Sequence, residues 1–326
     1  MADRDWGNQT AIKEFIILGF GDLPDLQILL FLMFQVIYMA TVAGNTLIVV
    51  LIVANQRLHT PMYFFLGNLS CLETCYTSTI LPRLLASLLT GDKTISVSGC
   101  ITQLYFCSSL VCTECYLLAA MSYDRYLAIC KPLHYSTLMN SRFSLQLAAG
   151  SWLNGFLAVI ILVSFLSQLL FCGPNEIDHF YCDPIPLREL SCSDTHLVIL
   201  MNFILAYVFT LPPFLLTLTS YMCIISTILR IPSTTGRQKA FSTCSSHLIV
   251  VTIFYGSIVI VYLLLKHDTL RDLNKVLSLC YTVLTPLVNP LIYSLRNREV
   301  KEALYKAVSK CGFHQNIQIH LHNNVT

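Results

Sequence analysis

The sequence predicts an all-α membrane protein with seven transmembrane helices and a short amphipathic cytoplasmic helix. Of its 326 residues, 55% are hydrophobic and only 12% are charged, whereas a soluble globular domain carries about 25% charged residues. The apolar residues fall into seven long runs, and a helix needs roughly 20 apolar residues to cross the hydrocarbon core of a bilayer. Seven spans of this length leave room for short loops but for no large soluble domain.

The predicted spans divide the chain into four regions. Residues 1–25 form an N-terminal segment, and residues 26–296 form the seven-helix domain. Residues 297–310 alternate charged and apolar residues at helical spacing, which is typical of a helix lying on a membrane surface, and residues 311–326 form a polar tail. The seven spans are Leu26–Ala54, Met62–Leu89, Val97–Ile129, Phe143–Leu170, Leu197–Leu229, Ala240–Leu265 and Leu273–Leu295.

The charges that flank the spans predict their orientation. With the N-terminus outside, the inner side holds twelve basic residues against three acids, and the outer side holds eight basic residues against thirteen acids. This follows the excess of Lys and Arg found on cytoplasmic loops, so we expect a multi-pass plasma-membrane protein with an extracellular N-terminus. No segment typical of a cleavable signal peptide precedes the first span. Asn8, in the sequon Asn8-Gln-Thr10, then becomes a candidate glycosylation site.

The fourteen cysteines fall into two groups. Most lie in or beside apolar spans, where cysteine is a small, polarisable packing residue. Cys100, Cys172, Cys182 and Cys192 lie on the predicted outer side, in an oxidising space. Four cysteines permit three pairings, and the residues themselves leave the choice open. Two disulfides would hold the long loop before the fifth span as a structured lid.

Two acidic residues are predicted to lie inside the membrane, where an ionisable group is costly and marks a functional candidate. They are Glu73 in the second span and Glu114 in the third. Two neighbouring carboxylates repel unless they share a proton or a cation. The sequence leaves both interpretations open: protonated side chains that bond neighbouring helices, or a sodium site. Apart from this ion, no cofactor is expected.

Other polar or helix-breaking residues lie at positions suited to a conformational switch. Asn289 and Pro290 interrupt the seventh span, where a proline frees a backbone carbonyl and permits a kink. Gly44 and Asn45 lie in the first span. The pair Asp124-Arg125 ends the third span at the inner face, where an arginine that stays charged must pair or enter a cavity.

Four longer motifs occur along the chain: Leu58-His-Thr-Pro-Met-Tyr-Phe-Phe-Leu66, Met121-Ser-Tyr-Asp-Arg-Tyr-Leu-Ala-Ile-Cys130, Lys239-Ala-Phe-Ser-Thr-Cys-Ser-Ser-His247 and Pro286-Leu-Val-Asn-Pro-Leu-Ile-Tyr-Ser-Leu-Arg-Asn297. These motifs resemble those of the odorant receptors, a branch of the rhodopsin-like G-protein-coupled receptors. The resemblance extends from the first helix to the eighth, and the loop with three cysteines is similar to that of the class II, tetrapod-type receptors.

The resemblance implies roles for individual residues. It implies disulfides from Cys100 to Cys182 and from Cys172 to Cys192. One departure is Glu73, where the family usually has aspartate. The switch residues that the resemblance implies are Asp124, Arg125 and Tyr126 at the inner face, Asn289, Pro290 and Tyr293 as the seventh-helix hinge, Tyr221 as the hinge's partner from the fifth helix, and Tyr255 as the sixth-helix switch beneath the ligand.

The implied ligand is a small volatile odorant, and the implied partner is the stimulatory G protein of the olfactory type, which raises cyclic AMP. A pocket for such a ligand should be closed and mostly apolar. None of the thirteen residues predicted to line this pocket is charged, which argues against ligands held by an ion pair. Helical spacing gives the inward face Leu104, Cys107, Ser108, Val111 and Cys112, and the resemblance adds Asn202, Leu205, Phe209, Tyr255, Ile258, Val259, Tyr262 and Thr282.

Three other classes of protein are less favoured by the sequence. A transporter would show internal repeats with matching broken helices, and the chain has none. An intramembrane enzyme would need a catalytic motif such as His-Glu-x-x-His or Gly-x-Ser-x-Gly, and none is present. We therefore expect no enzyme activity and no nucleic-acid partner. A hormone or amine receptor of the rhodopsin-like group is the nearest alternative, and the four motifs count against it.

Overall fold

The computed structural model is a bundle of long helices with a small β-sheet at one end, called here the strand end. Five of the described helices are long and apolar enough to cross a membrane. Two more helices, Pro61–Thr90 and Thr234–Val259, have 30 and 26 residues but are richer in polar side chains. The predicted seven-helix architecture is confirmed. The structure describes residues 12–21, 24–172, 174–261, 271–296 and 299–306.

The first four spans are single helices whose ends follow local sequence signals. Pro61 begins α2, where its missing N–H costs nothing, and Gly91 ends it with a left-handed φ of 75°. Ser96 and Asn140 cap the next two spans by accepting hydrogen bonds from backbone N–H groups. The elements are α1 (Pro24–Ala54), α2 (Pro61–Thr90), α3 (Val97–Cys130), a short helix α4 (Tyr135–Leu138) and α5 (Ser141–Leu166).

The fifth and seventh spans each contain a π-helical turn, which the apolar pattern does not predict. Such turns are frequent at functional sites, and here they lie at Ala206–Thr210 and Cys280–Leu284. The sixth span begins earlier than predicted because Ser233 caps it. The elements are α6 (Pro184–Glu189), α7 (His196–Leu205), α8 (Leu211–Leu229), α9 (Thr234–Val259), α10 (Arg271–Leu279), α11 (Thr285–Arg296) and a final helix α12 over residues 299–306.

A three-stranded sheet joins the N-terminal segment to two loops. Strand β1 (Glu14–Ile17) lies in the middle, antiparallel to β2 (Thr94–Ser96) and parallel to β3 (Glu176–Ile177). Phe15 is fully buried and contacts Phe171 edge to face at 5.1 Å. The N-terminal segment is therefore part of the covering at the strand end, which the sequence did not predict.

The core of the bundle surrounds α3, which contacts α2, α5, α8 and α9. Apolar side chains also cover the outside of the bundle, as a lipid environment requires: Ile28 is 74% exposed and Leu153 is 62% exposed. In α12, Val300 and Ala303 are buried against the bundle. The remaining residues of the predicted surface helix, 297–298 and 307–310, lie outside the described residues.

Candidate functional site

A cavity of about 1030 Å³ lies at the strand end of the bundle. Residues of α3, α7, α8 and α9 form its walls, and the loop between α5 and α7 covers it. Aliphatic and aromatic side chains make up most of the surface in the bundle, among them Val111, Phe214 and Ile258. The cavity is therefore suited to a small apolar molecule that displaces water from these walls.

Nine of the predicted ligand-site residues line this cavity. The four from α3 follow one another at positions i, i+1, i+4 and i+5, which places them on one face of the helix. Tyr255 also donates a hydrogen bond of 2.9 Å to the carbonyl of Cys115, which fixes α9 against α3 at the cavity floor. The nine are Cys107, Ser108, Val111, Cys112, Asn202, Leu205, Tyr255, Ile258 and Val259.

Three of the predicted ligand-site residues, Leu104, Phe209 and Thr282, do not line the cavity. Leu104 is fully buried one turn closer to the sheet, in the apolar cluster that includes Phe15. Thr282 is buried within the seventh span, where its hydroxyl donates to the carbonyl of Ser278 at 2.6 Å. Phe209 lies in the π-helical turn of the fifth span, which rotates the helix relative to a regular α-helix. Tyr262 lies outside the described residues.

The polar end of the cavity comes from the covering loop, and sequence reasoning missed it. Asp178, His179 and Asp183 line the cavity there. The hydroxyl groups of Tyr181 and Tyr281 bond to each other at 2.7 Å, and Tyr181 also donates to Asp183 at 3.0 Å. A sequence signal was present, because these polar residues surround Cys182, which the resemblance tied to the third helix.

The covering loop is held to the bundle by covalent and ionic contacts. The structure joins Cys100 to Cys182, the pair that ties the loop to α3, and joins Cys172 to Cys192 within the loop. Both are the pairs that the resemblance implies. Lys275 of α10 donates to Asp178 at 2.5 Å. The glycosylation candidate Asn8 lies outside the described residues.

Two buried carboxylates lie deeper in the bundle. Glu73 and Glu114 have no exposed surface, and Asn289 donates a hydrogen bond to Oε1 of Glu73. Oε2 of Glu73 and both oxygens of Glu114 have no hydrogen-bond partner among the described residues. Orphaned oxygens of this kind are costly for a charged carboxylate, so they fit a shared proton or a hard cation such as sodium. No cluster of three or more metal-ligating side chains occurs in the described parts of the chain.

At the end of the bundle opposite the sheet, Asp124 and Arg125 form an ion pair of 2.6 Å. Asp124 is fully buried, and Tyr135 of α4 donates to its second oxygen at 2.8 Å. Burial and the nearby Asp124 raise the pKa of Tyr135, so its hydroxyl keeps its proton and acts as the donor. Tyr126 is half-buried and stacks on Tyr123 with ring centroids 6.2 Å apart. The guanidinium of Arg125 is thus held by the carboxylate of Asp124, the preceding residue in the chain.

Tyr221 has a different partner from the one that the resemblance implies. Its hydroxyl bonds to Nδ1 of His247 on α9 at 2.5 Å, and both residues are buried. The hydroxyl of Tyr293 is buried and has no hydrogen-bond partner among the described residues. Because the two tyrosines are not bonded, the expected contact between the fifth and seventh helices is replaced here by one between the fifth and sixth. His247 is the last residue of the motif Lys239–His247, and the resemblance of that motif implies no role for it.

Asn289 and Pro290 lie in α11, against the second and first helices. Asn289 is 2% exposed and holds Glu73, as described. Pro290 lies against Gly44, where an added Cβ would come within 3.1 Å of the proline ring. Asn45 donates to the carbonyl of Pro286 at 3.1 Å, which satisfies one of the backbone groups near the interrupted helix.

Comparisons with known proteins agree with these features. The chain matches the family model described as olfactory receptor over residues 34–311. It is 50% identical to human olfactory receptor 6N1 over 94% of this chain and 99% of that protein, and 51% identical to human olfactory receptor 6F1 over 93% and 98%. It is also 50% identical to mouse olfactory receptor 6Z7 over 92% of this chain and 96% of that protein.

The fold is shared with a solved structure of low sequence similarity. The crystal structure of squid rhodopsin superposes with a TM-score of 0.70 at 16% identity, covering 90% of this chain and 88% of that one. This similarity concerns the arrangement of the helices alone.

Proposed function

This chain belongs to the olfactory receptor family of rhodopsin-like G-protein-coupled receptors, which are not enzymes, and from that premise we propose its ligand class and its signal. We propose that it binds a small, mostly apolar, volatile molecule in the strand-end cavity. The bound receptor then activates a stimulatory G protein of the olfactory type, and cyclic AMP rises.

The cavity is the observation that carries the proposal. Ligand sites are typically clefts of about 300–1,000 Å³ with apolar walls and a few polar groups that orient the ligand, and the volume of about 1030 Å³ matches this range. Val111, Phe214 and Ile258 supply apolar contact, while Ser108 and Asn202 supply polar groups. Such a site discriminates molecules by shape and by one or two hydrogen bonds.

The proposed orientation places the strand end outside the cell and Arg125 inside. The charge asymmetry of the loops supports it, as do the two disulfides, which persist in oxidising compartments. A tag on the N-terminus should then be labelled on intact cells, whereas a C-terminal tag should need permeabilised cells. Reversed labelling would contradict the orientation and with it the proposed route of signalling.

The signal must travel along the bundle, because the ligand and the G protein bind at opposite ends. Arg125 lies 17 residues beyond Ser108 on α3, which is roughly 25 Å along the helix at 1.5 Å per residue. No odorant spans that distance. Arg125 therefore acts through a shift between two helix arrangements, and agonist and G protein should each raise the other's affinity.

We also propose that Glu73 and Glu114 act together, holding either a sodium ion or a shared proton. Their orphaned oxygens support this, because a second buried negative charge is unfavourable without a cation or a proton. Asn289 links this pair to the interrupted α11. The occupancy of the pair would thereby bias the shape of the seventh helix.

A cyclic AMP reporter screened with a chemically diverse odorant panel tests the proposal. At matched surface levels, Arg125→Ala should lose the response to every agonist, because it removes the coupling group. Ser108→Ala should instead change potency by an amount that differs from one odorant to the next. A fully active Arg125 variant, or a defect of that variant that depends on the odorant, would contradict the assigned coupling.

A further inference from the structure

His179 stands out among the polar groups that line the cavity because its ring nitrogens are both buried and unpartnered. The side chain is 2% exposed and belongs to the loop that covers the cavity. Neither Nδ1 nor Nε2 has a hydrogen-bond partner among the described residues. A buried polar group is normally hydrogen-bonded, so this imidazole is suited to a partner that enters the cavity.

The imidazole is held in place by its surroundings. Its ring stacks on Phe180 and meets the edge of Tyr181, with both centroid distances at 4.6 Å. Its backbone N–H donates to Ile177 of β3, and its carbonyl accepts from Gly19, which follows β1. The sheet and the two aromatic rings thus fix the ring before any ligand arrives, which reduces the entropy cost of binding.

The neighbouring charges are already satisfied by the protein. Asp178 pairs with Lys275 at 2.5 Å. Asp183 is 3% exposed, and its two oxygens accept from the hydroxyl of Tyr181 and from the backbone N–H of Ile185. The other acids on the cavity wall, Glu176 and Glu189, are exposed to solvent. Because Asp178 is paired and Asp183 already accepts two hydrogen bonds, neither carboxylate is left to hold an ammonium ion, so the polar end favours an uncharged ligand.

Protonation of His179 follows from the same surroundings. Burial lowers the pKa of His179 to about 4; the nearby carboxylates of Asp183 and Asp178 act in the opposite direction, and the Lys275 ammonium lowers the pKa further. The ring is neutral at physiological pH, so one nitrogen donates a hydrogen bond and the other accepts one. A ligand hydroxyl can serve either nitrogen, whereas an ether oxygen can only accept.

We propose that His179 anchors the polar head of the ligand, and that the receptor prefers uncharged alcohols and phenols whose hydrocarbon part extends towards Val111 and Phe214. This rests on the proposed function, because it names the ligand class of the same cavity. The loop then serves both as a cover and as the recognition element.

The test uses the full-length receptor and matched pairs of compounds. The probes are aliphatic alcohols of six to ten carbons and alkyl phenols, each with the hydrocarbon that lacks the hydroxyl group. Thermal stabilisation of the purified receptor measures binding without a G protein, and a cyclic AMP reporter measures signalling. For wild type, active alcohols should be about tenfold more potent than these hydrocarbons, the effect of one hydrogen bond.

Variants of His179 separate anchoring from folding. His179→Phe keeps a ring but removes both hydrogen-bonding atoms, and should lower the potency of alcohols to that of the matched hydrocarbons. His179→Gln keeps a donor and an acceptor, and should recover most of the preference. His196→Phe is the matched control, because His196 is exposed outside the cavity, and it should behave as wild type.

The outcomes distinguish the two proposals. If other odorants stabilise the receptor while no alcohol or phenol does, the anchoring role is wrong and the proposed function stands. If alcohols and the matched hydrocarbons are equally potent, or His179→Phe keeps the preference for alcohols at normal surface levels, the anchoring role is also wrong. If no volatile compound stabilises or activates the receptor, both proposals fail.

Discussion

The contact between α3 and α5 yields a sharp test of the packing, because the backbone of α3 lies very close to one glycine of α5. A Cβ added to Gly155 would lie 2.6 Å from the carbonyl oxygen of Ser109 and 2.8 Å from the backbone nitrogen of Thr113. Real Cβ atoms essentially never come so close to a backbone atom, and backbone atoms cannot rotate away as the end of a flexible side chain can. Gly155→Ala must therefore push the two helices apart.

The size of the effect follows from two opposing contributions. Overpacking of a well-packed contact costs about 1–3 kcal/mol, and we expect the upper part of that range because the clash is with backbone. Replacing a helical glycine by alanine returns about 0.5–1 kcal/mol. The unfolding entropy is about 2.1 cal/mol/K per residue, so for 326 residues the net loss of about 1–2 kcal/mol corresponds to a melting temperature lower by about 1.5–3 °C.

The matched control for Gly155 lies on the same helix. A Cβ at Gly150 would meet nothing within 4 Å, so Gly150→Ala should keep or slightly raise the melting temperature. Thermal unfolding of both purified variants in detergent, with surface expression in cells, provides the measurement. Equal melting temperatures for Gly155→Ala and wild type would refute the close approach of α5 to α3.

Three further predictions concern other buried polar groups. Tyr135→Phe removes the hydrogen bond to buried Asp124. Discounted for solvent screening, the loss of about 1 kcal/mol should raise basal cyclic AMP about fivefold, and an unchanged basal level would exclude a restraining role. Glu73→Gln or Glu114→Gln should abolish any sodium-dependent change in thermal stability, whereas a wild-type receptor equally stable in sodium and in a bulky organic cation would favour the shared proton. The pKa of His179 in the folded state is about 4, below its ordinary value of about 6.5, so the unfolded state binds more protons between these values. Its contribution to stability, about 3 kcal/mol at most, is full above pH 6.5 and is lost as the pH falls towards 4. Thermal scans from pH 7.5 to 4.5 should show a steeper loss for wild type than for His179→Gln, and parallel curves would contradict the buried neutral imidazole.

The amino-acid sequence by itself determined the number, order and approximate bounds of the helices. This follows because a bilayer imposes one local rule, about 20 apolar residues for each span, and local signals such as Pro61 and Ser96 then set the ends. The face of α3 that lines the cavity also followed from helical spacing alone. These features can therefore be predicted without knowing which distant residues meet in the fold.

The tertiary structure decided which residues meet across the bundle. Leu104 lies on the predicted face of α3 yet is covered by the cluster around Phe15, because a strand from the N-terminal segment folds over it. Tyr221 bonds to His247 and not to Tyr293, since the rotation of one helix against another selects among equally polar neighbours. Neither the hydropathy of the sequence nor its helical period shows where a distant strand folds or how one helix is rotated against another.

The same distinction explains the polar end of the cavity. The loop around Cys182 has no periodicity, so its sequence does not say which side chains face inward. Its course is set by two disulfides, by the pairing of β3 with β1, and by the ion pair between Asp178 and Lys275. These contacts join segments that are far apart in the chain, and together they place His179 at the wall of the cavity.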